Sequence, residues 1–163
     1  MRLSVERANE LLRYDPKTGK LFWRVSRGRV AAGQEAGCVE TVYGDVLVGV
    51  DGKIYQAHRI IWLIRKGYMP AEIDHRNRRN SDNRWCNLRE ATRQQNQCNR
   101  GRPINNRSGF KGVHRHKDGW RARICVRGVH HCGGVYATPE LAARAYNRLA
   151  KKHHANFACL NGV

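Results

Sequence analysis

One carboxylate, one imidazole and two carboxamides stand close enough along this chain to do chemistry together: Asp74 and His75 side by side, then Asn87 and Asn96. A carboxylate and an amide oxygen can hold a hard divalent cation. An imidazole with an ordinary pKa of about 6.5 is largely neutral at physiological pH, so it can take a proton from water. Arginines crowd the same segment and suit a polyanion. Those parts together are what hydrolysis of a phosphodiester requires. Oxygen ligands in partial number favour magnesium or manganese over zinc, and such a cation polarises a scissile phosphate and stabilises the leaving 3′ oxygen.

The geometry is demanding. Neighbours on a strand point to opposite faces, so Asp74 and His75 need a strand end or a bulge to serve one site. Asn96 sits near the first turn of a helix whose start is marked by Thr92-Arg93-Gln94-Gln95, a capping box. It must reach back to Asp74 across the intervening chain. Taken singly, an Asp-His pair is commonly a surface turn, and an asparagine in a first helical turn commonly bonds locally. Asn80, Asn83 and Asn99 read as loop and helix-end residues, though Asn99 lies one turn beyond Asn96 and could substitute for it.

The charge balance points the same way. The chain has 163 residues and a formal net charge of +18, with a pI near 10.5. An excess of this size creates a long-range positive potential that captures polyanions. Nucleic acid fits better than an acidic membrane, because no apolar run reaches the roughly 18 residues of a span and no basic amphipathic helix is evident. A hydrophobic share of 40% supports folded cores. The first residues lack the apolar core of a secretory signal. Six cysteines at irregular spacing (Cys38, Cys86, Cys98, Cys125, Cys132, Cys159) read as reduced, partly buried thiols of a cytoplasmic protein more readily than as a disulfide framework.

Several elements must position these residues. Ser4 caps a helix with Val5, Ala8, Leu11 and Leu12 at helical spacing. The turn Asp15–Gly19 leads into a strand over 21–25. Residues 42–50 and 54–57 read as a hairpin around Asp51-Gly52. A helix follows from Ala57 to Lys66, with Gly67 suited to the position after its end. Residues 75–83 contain no apolar residue and form a polar loop. Residues 101–108 read as a basic linker. Beyond it, 110–116, 120–127 and 129–136 read as three short strands, and Thr138-Pro139-Glu140 starts a helix with the apolar stripe Leu141, Ala142, Ala145, Tyr146, Leu149 and Ala150.

Residues 57–99, from Ala57-His58-Arg59-Ile60 through Ile73-Asp74-His75 to Asn87-Leu88-Arg89 and Asn96, resemble the HNH homing endonucleases of bacteriophages and introns. The segment from Leu11 to Lys66 also resembles the usual lead-in of that family. The resemblance implies a β-β-α metal fold in which Asp74 and Asn96 bind the metal, His75 is the general base and Asn87 orients its ring. It also matches His58 and Arg59 to the family's His-Arg pair, with phosphate contact or packing as their role.

On the second predicted strand, Trp120, Ala122, Ile124 and Val126 fall on one face and Arg121, Arg123, Cys125 and Arg127 on the other. Three arginines on one sheet face repel one another unless a polyanion neutralises them, and such a sheet can enter a DNA major groove. Residues 109–161 resemble the plant-type Apetala/ethylene-response-factor DNA-binding domain through Gly109-Phe110-Lys111-Gly112-Val113, Trp120-Arg121-Ala122, Gly134-Val135-Tyr136, Ala142-Ala143-Arg144-Ala145-Tyr146 and Asn156-Phe157. Onto that family's DNA-facing positions fall Lys111, His114, His116, Arg123, Cys125, His130 and Cys132, with Arg115, Arg121 and Arg127 as further phosphate contacts. The histidines and cysteines depart from the plant pattern, so its target sequence does not transfer. A zinc reading of His114, His116, His130, His131 and Cys132 lacks paired ligand spacing.

The sequence thus predicts an α+β protein: an N-terminal β-β-α-metal (HNH) nuclease domain over 1–100 with its core at 57–99, a linker over 101–108, and a three-stranded antiparallel sheet packed on one helix over 109–163. The expected activity is metal-dependent endonuclease cleavage of double-stranded DNA with Mg2+ or Mn2+, by a monomer, with no membrane and no small-molecule substrate. Arg102 and Arg107 of the linker lie along the DNA in this reading, and tethering two weak modules raises their joint affinity. The alternatives are a regulator that binds DNA without cutting it and an RNA-binding protein.

Overall fold

The computed structural model describes residues 3–163. Its contacts divide the chain into Met1–Ala91 and Thr92–Val163. The helix that carries Asn96 therefore groups with the second unit, where the sequence boundaries place it with residues 1–100. Residues 101–108 lie inside that second unit.

In the first unit, local signals start most elements. The helix α1 (Val5–Leu11) begins where Ser4 Oγ accepts a hydrogen bond from the Arg7 N–H. It stops one residue short of the apolar spacing, because Leu12–Asp15 forms strand β1 instead and pairs antiparallel with β2 (Lys20–Trp23). A short strand β3 (Glu35–Ala36) completes that sheet. Strands β4 (Cys38–Val39), β5 (Val46–Val50) and β6 (Lys53–Gln56) make a second sheet. Asp51 and Gly52 join β5 to β6 with φ of 48° and 74°, the left-handed pair that a two-residue hairpin turn demands. Residues 42–45, expected as strand, form a turn.

Helix α2 (Ala57–Lys66) follows directly and ends at Gly67 in the left-handed conformation. It buries Ile60, Ile61, Trp62 and Leu63 against Ala8, Leu11, Val48 and Val50, which form the core of this unit. Each fully buried aliphatic side chain there contributes roughly 1.5–3 kcal/mol. Strand β7 (Glu72–His75) pairs antiparallel with β8 (Leu88–Ala91), in the register Asp74↔Arg89 and His75↔Leu88. The polar loop between them carries no regular structure until a short 3-10 turn at Trp85–Asn87.

The second unit opens with α3 (Arg93–Asn99), whose capping box is formed by Thr92 and Gln95 as expected. Strands β9 (Val113–His116), β10 (Gly119–Val126) and β11 (Val129–Tyr136) form an antiparallel sheet with β10 in the centre. Helix α4 (Pro139–His154) starts at Thr138, whose hydroxyl caps Leu141 N–H, and packs Ala142, Ala145, Tyr146 and Ala150 on Val113, Ala122 and Ile124. The expected alternation on the central strand holds at Ala122 and Ile124, which are buried, and at Arg123 and Cys125, which are exposed. Leu141, expected in the apolar stripe, is exposed. Among the described residues no helix is long and apolar enough to cross a membrane.

Candidate active site

Asp74 and His75 are the last two residues of β7, and both are buried. Their side chains find different partners. Asp74 Oδ2 accepts from Arg89 Nε at 2.7 Å and lies 2.6 Å from Arg89 Nη2, an ion pair between directly opposed residues of β7 and β8. Both side chains are almost fully buried, where removing one charge of a pair is costly to the other. Arg89 is the first functional partner that sequence reading missed. Its signal was the register itself, since antiparallel pairing of β7 with β8 sets residue 74 opposite residue 89.

His75 faces the loop and α2. Its Nε2 lies 2.9 Å from Asn83 Oδ1. With the amide oxygen as acceptor, Nε2 is the donor of this bond. The orienting residue that the sequence predicts is Asn87. The Asn87 amide is spent on the loop: Oδ1 accepts from Asn77 N–H at 2.9 Å and Nδ2 donates to the Asp82 carbonyl at 2.7 Å. Asn87 thus holds the loop shape, and Asn83, taken from sequence as a plain loop residue, holds the imidazole.

Asn83 is itself fixed from the far side. It is 1% exposed, and its carbonyl accepts from the Tyr14 hydroxyl at 3.0 Å. Burial pushes the Tyr14 phenol up to about 12, so the hydroxyl keeps its proton and donates. The β1–β2 turn presses on the same backbone. A Cβ on Gly19, which has φ of 78°, would stand 2.5 Å from Arg84 N and 2.7 Å from Asn83 C. Only glycine allows that approach. Asp82 beside it binds Arg84 through both oxygens at 2.6–2.8 Å, which holds its carboxyl down near 2.

The second face of the His75 ring meets His58. The two rings are perpendicular with centroids 5.0 Å apart. His58 is buried and its Nδ1 makes no hydrogen bond, the nearest carboxylate oxygen being Asp45 Oδ1 at 3.7 Å. Burial, reinforced by His75 and Arg59, drives the His58 pKa down to about 3, so the imidazole is neutral and its approach to Asp45 is not an ion pair. The phosphate-contact alternative for His58 gives way to packing. Arg59 likewise turns inward, donating from Nη2 to the Pro70 carbonyl at 3.0 Å.

The buried His58 has a stability consequence. In the unfolded chain it titrates near its ordinary value of about 6.5, while the folded chain resists protonation down to about 3. Above the first value neither state binds the proton and stability is unaffected. Between the two the unfolded state alone binds it, so stability falls as pH falls, by about 1.4 kcal/mol per pH unit. Urea unfolding at pH 7.5 and pH 5 should therefore show a deficit of roughly 2 kcal/mol at the lower pH that His58→Phe lacks. Identical pH dependence in both proteins would show that His58 takes up its proton as readily in the fold as in the unfolded chain.

The residues expected on the DNA-facing sheet divide. His114, Arg115, Arg123, Arg127 and His130 are exposed, and Arg121 and His116 are half-buried. Arg123 Nε donates to His130 Nδ1 at 3.0 Å, Arg121 Nη2 contacts His116 Nε2, and Arg115 lies over the Trp120 ring. Burial and the neighbouring Arg121 keep the His116 pKa below its usual value. The Lys111 ammonium donates to the Cys98 carbonyl at 2.7 Å and to that of Arg100, tying down the end of α3. Arg102 and Arg107 are exposed.

For a divalent cation the first unit offers one hard donor, the Asp74 carboxylate. This suits magnesium, which takes one or two carboxylates and completes its shell with water and phosphate oxygens. Among the described residues no group of three His, Cys, Asp or Glu side chains could hold a metal. Arg89 must share the Asp74 carboxylate with any cation that binds there.

Residues 55–98, from the end of β6 to α3, match the family model described as HNH endonuclease. An uncharacterized HNH endonuclease of Acanthamoeba polyphaga mimivirus is 34% identical over 111 residues, which is 66% of this chain and 58% of that protein. The chain thus spans less than two thirds of that relative's length. A solved structure of the HNH homing endonuclease I-HmuI, concerned with DNA binding and cleavage, aligns over 94% of this chain and 91% of its own at 18% identity, with a TM-score of 0.45.

Proposed function

We propose that this protein is a homing-type DNA endonuclease that hydrolyses phosphodiester bonds with one divalent metal and His75 as general base. The observation that carries the reading is the 2.9 Å bond from His75 to Asn83, with His58 behind the ring. It holds one imidazole beside a loop that carries the exposed Arg76, Arg78 and Arg79. A histidine held in this way accepts a proton from attacking water through Nδ1. Asn83 keeps the proton on Nε2, and Asn87 keeps the loop closed around it. Asp74 and Asn96 are the proposed metal ligands, with magnesium or manganese supplying charge to the phosphate and the leaving oxygen.

The second unit supplies grip. The sheet residues His114, Arg115, Arg121, Arg123, Arg127 and His130 engage the DNA, with Arg102 and Arg107 along its backbone. Affinity that depends on several such cations falls steeply with salt, with a log–log slope of about −0.9 per phosphate neutralised.

Supercoiled plasmid incubated with magnesium should be converted to nicked or linear form, and should survive with chelator or with Asp74→Ala. Plasmid intact in every lane, yet retarded on a gel, would identify a regulator that binds without cutting. A monomer with one catalytic centre nicks one strand per engagement, so nicked circles should precede linear DNA.

A further inference from the structure

The turn between β4 and β5 holds two large apolar side chains out in solvent: Val42 is 73% and Tyr43 76% exposed. Single exposed apolar residues are ordinary on protein surfaces. This pair differs in how firmly its backbone is held. The Glu40 carboxylate accepts from Val42 N–H at 2.7 Å and from Tyr43 N–H at 2.8 Å. Gly44 N–H donates to the Glu40 carbonyl at 3.1 Å, and Glu40 N–H to the Asp45 carbonyl at 2.7 Å. The Tyr43 carbonyl accepts from Asn80 Nδ2 at 3.0 Å, which fastens the turn to the loop between β7 and β8. At its other end, Asp45 abuts His58, which abuts His75.

The turn is thus tied by Asn80 to the loop that follows the candidate base. A fixed apolar tip is useful against a partner of fixed shape, and the neighbouring surface states the partner's charge. Arg76, Arg78 and Arg79 are exposed on the loop that Asn80 ties to Tyr43. A partner that offers phosphates to arginines and flat apolar surface to a tyrosine is a nucleic acid. We propose that Val42 and Tyr43 form a wedge that packs on the sugar and base edge of duplex DNA beside the scissile phosphate, opening one base step. This inference rests on the nuclease reading for the place of the scissile phosphate, and on the turn's own geometry for the contact. Inserted apolar side chains of this kind unstack a step at a cost of a few kcal/mol and kink the duplex, while an aromatic ring recovers stacking on the exposed base.

The test compares wild type with Tyr43→Ala, Tyr43→Phe and Ile54→Ala, the last removing an equally exposed side chain of the same sheet. Fluorescence anisotropy on labelled mixed-sequence duplex measures binding, and plasmid cleavage measures rate. Tyr43→Ala should bind duplex roughly tenfold more weakly, with its melting temperature unchanged because the side chain is exposed. Its cleavage should fall at least as far and recover on a substrate whose cut site carries a mismatch, where the step is already unstacked. Tyr43→Phe and Ile54→Ala should match wild type. Equal duplex affinity for Tyr43→Ala and wild type overturns the wedge. If wild type binds but never cuts, the nuclease reading falls while the anisotropy result still decides the contact. Preference of wild type for single strands that Tyr43→Ala abolishes would overturn the duplex assignment.

Discussion

Replacing His75 by alanine should slow DNA cleavage by about 10²–10⁴-fold, the range in which a positioned general base contributes, and should change duplex affinity by less than about twofold. The reasoning is geometric. The ring is buried between Asn83 and His58, so it contributes little to the cationic surface that captures DNA. Removing it deletes the proton acceptor and leaves the exposed arginines in place. Asn83→Ala should reproduce part of the loss, because the imidazole then selects its tautomer freely and rotates more. Asn87→Ala should act differently: it releases Asn77 N–H and the Asp82 carbonyl from their amide, so it should loosen the whole loop and lower stability as well as rate. Single-turnover cleavage of a labelled duplex, with anisotropy for affinity, separates these cases. A His75→Ala protein that cuts at the wild-type rate would remove the imidazole from the mechanism.

That prediction draws on features the sequence carries unequally. Elements written in short-range chemistry were legible: Ser4 and Thr138 as caps, Thr92 with Gln95 as a capping box, Asp51-Gly52 as a hairpin turn, and Gly67 closing α2. Each is a local rule satisfied within a few residues. The misreadings are tertiary. Leu12 continues the apolar spacing of α1, yet it enters β1 because Asp15–Gly19 folds that segment back onto β2. Residues 42–45 have strand-like composition, yet Glu40 captures their amides and bends them into a turn.

The same division runs through the site. Asp74 and His75 are recognisable by type and adjacency, and their place at the end of β7 fits the strand-end geometry that adjacency demands. Their partners are not recognisable, because nothing local distinguishes Asn83 from Asn80 or Asn87. Asn83 reaches the imidazole because Tyr14 and Gly19, far away in sequence, fix its backbone. Long cationic side chains carry a second demand. Lys111 and Arg59 read as phosphate contacts in a basic chain, and each also donates to backbone carbonyls. Buried carbonyls need donors wherever they occur, and composition cannot say which cations are used up in this way.

Arg89→Met should destabilise the chain by about 3–5 kcal/mol in chelator, because it leaves the Asp74 carboxylate buried without its countercharge. The two side chains lie 2.6–2.7 Å apart and are nearly inaccessible, so solvent cannot take over the role of either. Asp74→Ala should lose a comparable amount by stranding the guanidinium, whereas the double variant Asp74→Leu/Arg89→Met should be more stable than either single one. Magnesium distinguishes a metal ligand from a purely structural carboxylate. If Asp74 binds the cation, magnesium should restore part of the loss in Arg89→Met, by about 2.7 kcal/mol at a concentration one hundred times its dissociation constant. It should do nothing for Asp74→Ala. Urea unfolding in chelator and in magnesium reads both effects without requiring activity. Restoration that persists in Asp74→Ala would place the cation elsewhere. Arg89→Met as stable as wild type in chelator would mean that the buried pair contributes no net stability and that Arg89 is kept for another reason, such as holding the carboxylate in place until a cation and a phosphate arrive together.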